Sequence, residues 1–187
     1  MLTKYLSVII IFSVFALIIG CKDDVLPKPK SYLSLNYPKP TYKTFDTDCG
    51  YSFRHNSVAN IASKNNCNFD INYKNMKATV YLNYKPVNNN INVLLRDAQK
   101  LTYEHVIKAD GILEQPYYNK SAKKYGMFYE VTGNAASQSQ FYVTDSTKHF
   151  LVGSVYFYAK PNYDSILPAS EYIKNDLRFL MESLKWK

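Results

Sequence analysis

Three β-rich runs in quick succession decide the fold: Tyr125-Gly126-Met127-Phe128-Tyr129-Glu130-Val131-Thr132, then Gln138-Ser139-Gln140-Phe141-Tyr142-Val143-Thr144, then Phe150-Leu151-Val152-Gly153-Ser154-Val155-Tyr156-Phe157-Tyr158-Ala159. Each is dominated by the aromatic and β-branched residues that fit a pleated surface. The links begin with Gly133-Asn134 and Asp145-Ser146-Thr147, which are turn formers. Links this short join neighbours and predict an antiparallel meander. Upstream, the stretch from Met76 to Tyr84 alternates so that Ala78, Val80, Leu82 and Tyr84 share one face of a further strand, which Pro86 and Asn88-Asn89-Asn90 stop. A helix is predicted from Ile91 to Lys108, because Ile91, Leu94, Leu95, Ala98 and Leu101 recur at helical spacing. Asn90 stands where a cap belongs, and Asp110-Gly111 would close it. A second amphipathic helix is predicted from Ala169 to Lys185, with Ile173, Leu177, Leu180 and Leu184 on one stripe and Pro168 and Ser170 at its start. This order argues an α+β domain, a twisted antiparallel sheet with helices packed against it. It becomes a three-layer sandwich if the helices take opposite faces.

The chain has 187 residues, of which 47% are apolar, and its 18 tyrosines and 10 phenylalanines supply ample core. Six glycines and eight prolines are too few for a collagen-like or wholly disordered chain. One domain, residues 41–187, is the expected count. No second long apolar run follows the first, which excludes a multi-span membrane protein.

Residues 1–20 read as an export signal. Lys4 precedes an uncharged run from Leu6 to Ile19, which is short for a membrane span and matches a signal-peptide core. The run ends Gly20-Cys21, a small residue directly before cysteine, as at a bacterial lipoprotein processing site. Cys21 is thus the expected lipidation site, bearing diacylglycerol and fatty acyl chains such as palmitate. Lys22-Asp23-Asp24 follows, and then Pro27, Pro29, Pro38 and Pro40 interleaved with Lys28, Lys30 and Lys39. Such a segment favours polyproline II, so residues 21–40 read as a semi-rigid tether.

Once Cys21 is lipidated, Cys49 and Cys67 form an even pair, and an oxidising compartment favours a disulfide between them. The alternative is two small buried apolar residues. No His-Glu-x-x-His, Gly-x-Ser-x-Gly or phosphate loop occurs, and His55, His105 and His149 are far apart, so neither a metal nor a cofactor is expected. Asp145, Ser146 and His149 share one turn, where a base cannot be aligned between nucleophile and orienter. The chain therefore reads as no enzyme. With 23 Lys and Arg against 15 Asp and Glu it is basic and aromatic, but export argues against nucleic acid. The small, polar residues Gly133, Asn134, Ala135, Ala136, Ser137 and Gln138, continued by Gln140, Lys148 and His149, form a candidate interaction surface. A hairpin connection without a partner is the alternative.

The run Tyr129-Glu130-Val131-Thr132-Gly133-Asn134-Ala135-Ala136-Ser137 and the stretch from Gln140 through Thr144-Asp145-Ser146-Thr147-Lys148-His149 to Leu151 resemble the gliding motility lipoprotein GldD family of the Bacteroidetes. Pro27–Tyr32, Cys49–Phe53, Tyr81–Pro86, Pro161–Ser165 and the terminal Lys185-Trp186-Lys187 fit as well. Gly50 departs from the family, where proline commonly follows the first core cysteine. The resemblance implies a non-enzymatic, lipid-anchored protein of the cell envelope, in contact with membrane lipid through Cys21. It also implies partners among the gliding and type IX secretion proteins. The element order is similar to the Mog1/PsbP-like sandwich, an analogy that carries no function by itself. A periplasmic or cell-surface module binding a glycan or small ligand is the rival reading.

Overall fold

The computed structural model describes residues 36–104, 108–158 and 162–187, so the signal, Cys21, most of the tether and His105 lie outside the described residues. In chain order the elements are β1 (Tyr42–Asp46), β2 (Tyr51–Asn56), β3 (Asn60–Ser63), β4 (Phe69–Tyr73), β5 (Ala78–Pro86), α1 (Ile91–Tyr103), β6 (Ala109–Asn119), β7 (Lys124–Gly133), β8 (Ser139–Thr144), β9 (His149–Phe157), α2 (Tyr163–Ser183) and β10 (Lys185–Trp186). Two antiparallel sheets result. One has seven strands in the order β3-β4-β5-β9-β8-β7-β6, and the other has three in the order β1-β2-β10. The expected meander is β7-β8-β9, with Phe128 opposite Phe141 and Phe141 opposite Gly153.

Alternation along the meander assigns the helices to opposite faces. Phe141, Val143, Leu151 and Val155 enter a core with Ile173, Leu177, Leu180 and Met181 of α2. Their neighbours Phe150, Tyr142 and Val152 pack instead with Leu94 and Ala98 of α1. Since successive strand side chains point to opposite faces, α1 and α2 sandwich the large sheet. The small sheet joins the α2 side through Tyr51 and Phe53. Ala78, Val80 and Leu82 are buried there as expected, at 2%, 2% and 1% exposure.

Several boundaries differ from the sequence expectations. The described part of α1 ends at Tyr103, and Asp110-Gly111 open strand β6 rather than closing a helix. Proline at 116 disguises that strand, yet β6 is an edge, where a missing N–H goes unpunished. Asn90 does not cap α1 through its side chain. Its Oδ1 instead accepts from the Asn88 N–H at 2.8 Å. Helix α2 begins at Tyr163, so Pro168 lies inside it. The helix also stops two residues early, because Lys185 and Trp186 pair with Ser52 and Tyr51 of β2.

Cys49 and Cys67 are joined in a disulfide, with Cα atoms 5.6 Å apart. It ties the entry of β2 to the short turn at Asn65–Cys67 before β4, linking the two sheets. Gly50, just after it, has φ +79°, a left-handed conformation that proline, locked near −65°, cannot adopt.

Candidate functional site

The expected interaction residues divide between the two ends of β8. Gly133 ends β7 and Asn134 to Gln138 form the β7–β8 loop, whereas Lys148 closes the β8–β9 turn and His149 opens β9. Six strand residues separate the groups by roughly 20 Å, so they do not form one surface. The loop itself is largely interior. Ala135, Ser137 and Gln138 are 2%, 0% and 4% exposed, and Gln140 of β8 is 2% exposed, so all four lie inside the fold. Gln138 Nε2 donates to the Ala135 carbonyl at 2.7 Å, and the Val131 N–H bonds the Gln138 carbonyl at 2.8 Å. Gly133 is buried with φ +93°, and a Cβ there would fall 2.7 Å from the Asp110 nitrogen. Of the loop, Asn134 and Ala136 face solvent.

Asn134 has a definite task. Its Oδ1 accepts from the Tyr163 N–H at 2.9 Å, satisfying an orphan donor at the start of α2, whose own Asn162 makes no side-chain cap. At the other end, the buried Lys124 ammonium donates to the Glu182 carbonyl, where cationic charge suits the negative helix terminus. Between them Glu130 binds Lys174 at 3.1 Å and Arg178 at 2.8 Å. Lys124, Glu130 and Asn134 all belong to β7 or its exit, so one strand fastens the helix at both ends and the middle. The lengths agree: ten strand residues span roughly 34 Å and 21 helical residues roughly 32 Å.

Asp145 shapes the opposite end. Its Oδ1 accepts from the N–H groups of Thr147, Lys148 and His149 at 3.0, 2.8 and 2.8 Å. Burial pushes its pKa up, but these bonds outweigh burial and hold it below the usual carboxylate value. The Asp145 carboxylate thus orders backbone, and Nδ1 of His149 bonds the Tyr84 hydroxyl rather than Asp145, so Asp145, Ser146 and His149 are not arranged as a Ser-His-Asp triad. The His149 ring stacks on Trp186 at 5.0 Å, and its Nδ1 bonds the Tyr84 hydroxyl at 2.8 Å. Around this pair opens a pocket of about 590 Å³ whose wall includes Lys123, Lys148, Lys185 and Lys187. Lys148 and His149 are among the residues expected from the sequence to form a surface, whereas the other lysines and Trp186 are not. The only local signal was the basic-aromatic Lys185-Trp186-Lys187 terminus, because the wall is assembled from two turns and a chain end.

Asp176 of α2, 4% exposed, is the notable buried carboxyl. Burial raises its pKa, against the pull of hydrogen bonds from Asn56, Tyr42 and Tyr73. The donors lie at 2.8, 2.8 and 3.0 Å and bring β1, β2 and β4 onto the helix. Burial likewise lowers the pKa of His55, whose Nδ1 bonds the Asn56 carbonyl. Among the described residues no group of three or more His, Cys, Asp or Glu could hold a metal ion, and no helix is long and apolar enough to cross a membrane.

No curated protein matches the chain. The family comparison does find a match, to the gliding motility lipoprotein GldD, over residues 22–186. That span takes in both sheets, both helices and the disulfide, together with the strand, loop and turn motifs whose geometry is described above, and so this chain belongs to the gliding motility lipoprotein GldD family.

Proposed function

We propose that this lipoprotein works without catalysis, as a docking piece of the gliding and type IX secretion machinery held to the membrane by acylated Cys21. One observation carries the reading. The exposed Ala136 sits at the tip of a loop whose neighbours are hydrogen-bonded into the fold through Asn134, Ala135 and Gln138. A small residue on a preorganised loop lets another chain approach closely with little ordering entropy to lose. The docking surface is thereby narrower than the sequence suggested, centred on Ala136 with its buried neighbours as support. Helices on both faces of an antiparallel sheet also support placing the fold beside the Mog1/PsbP-like sandwiches. The domain plan follows the same reading: a signal over 1–20, a tether over 21–40 and a folded remainder.

Ala136→Arg tests this. The variant should export and unfold thermally like the parent, yet lose co-purifying gliding and secretion proteins and glide poorly. Cys21→Ser separates anchoring from docking, since it should abolish fatty-acid labelling while leaving the loop intact. A folded Ala136→Arg protein that keeps its partners and glides normally would show that docking lies elsewhere.

A further inference from the structure

The pocket at the His149 end carries charge that the fold leaves uncompensated. Its volume of about 590 Å³ lies within the range of small-ligand sites, roughly 300–1,000 Å³. Of its lysines, Lys187 is committed, its ammonium lying 2.6 Å from Asp46 and also bonding the Thr47 carbonyl. Among the described residues, no carboxylate lies within 4.0 Å of the Lys123, Lys148 or Lys185 ammonium. The carboxylate in the wall, Asp145, is already occupied by three backbone N–H groups and the Thr147 hydroxyl. Like charges around one cavity repel, and here each is borne by an ordered backbone. The Lys148 N–H is held by Asp145, the Lys123 N–H by the Lys120 carbonyl, and Lys185 by pairing with Ser52.

We propose that this pocket binds a phosphate-bearing ligand, with Lys123, Lys148 and Lys185 as its counter-charges and His149 as a hydrogen-bonding group of the wall. The wall contains no arginine, so its cations are ammonium groups rather than planar guanidinium forks. Ammonium groups are compact point charges that fit phosphate from several directions. A phosphomonoester concentrates up to two negative charges, a closer match to three free cations than a single carboxylate. Tyr84 engages Nδ1 of His149, leaving Nε2 as the ring's remaining polar atom. The same group could come from a lipid headgroup or from a soluble phosphorylated compound.

Trp186 is the chain's single tryptophan and lines the pocket, so its fluorescence reports occupancy directly. The full lipoprotein, reconstituted in phosphatidylcholine vesicles at fixed ionic strength, would be titrated with glycerol phosphate in solution. In parallel, phosphatidic acid would be added to the bilayer. A saturable emission change is expected from at least one source, and which one responds identifies where the phosphate comes from. Lys123→Gln combined with Lys185→Gln should weaken binding by about tenfold or more, while Lys100→Gln on α1 should leave it unchanged. Circular dichroism would verify that each variant is folded. The proposal is overturned if neither source saturates, or if the folded double variant binds like the parent. It is equally overturned if an oligoglutamate peptide saturates the signal at lower concentration than either phosphate source, since the pocket would then be a carboxylate site.

Discussion

Asp176 shows how much one residue can hold. Its carboxyl gathers Tyr42, Asn56 and Tyr73 from three strands onto α2. Asp176→Ala would leave these donors without their acceptor in a largely dry site, and should lower the unfolding free energy by about 2–4 kcal/mol, read from urea denaturation. Its titration has an unusual sign. Burial raises the folded pKa above the unfolded value, so between the two the folded state binds more protons. Stability from this group is then greatest below the unfolded pKa, about 4, and declines as pH rises through the raised folded pKa. Asp176→Asn carries no such proton. The stability of wild type relative to that variant should therefore fall as pH increases across this window, and parallel pH dependences in the two proteins would contradict the assignment.

At the scale of elements, β7 acts on α2 as a strut, capping it at one end through Asn134 and at the other through Lys124. Asn134→Ala removes a cap supplied across 29 residues of chain and should cost about 1 kcal/mol. Native-state hydrogen exchange should localise that loss to the first turns of α2, and a uniform loss of protection would point to a different role. Such a cap is invisible to local reading, which looks for it just before the helix. That is why Pro168 passed for the helix start, although the first turn already forms at Tyr163. Conversely, the three meander strands were legible, because period-2 alternation between short polar turns leaves little choice of structure.

The family places the whole molecule in the cell envelope as a lipid-anchored protein associated with gliding motility. Exported domains of this kind keep their disulfides, and the one here joins cysteines 18 positions apart in sequence and links the two sheets. Replacing both cysteines with serine should lower stability by about 3 kcal/mol in the loop-entropy account. Equilibrium unfolding would measure it, and a loss under about 1 kcal/mol would mean that packing around Tyr51 and Phe69 holds the sheets without help. The α+β class, the central meander, the amphipathic stripes of both helices and the even cysteine pair could be read from the chain alone. Each depends on residues close in sequence, on simple periodicity or on counting. Only tertiary structure decided that α1 and α2 take opposite faces, that the Gly133–Gln140 motif is mostly interior, and that lysines from positions 123, 148 and 185 meet at one pocket. These follow from register and strand order, which bring distant residues together through contacts that no local pattern encodes.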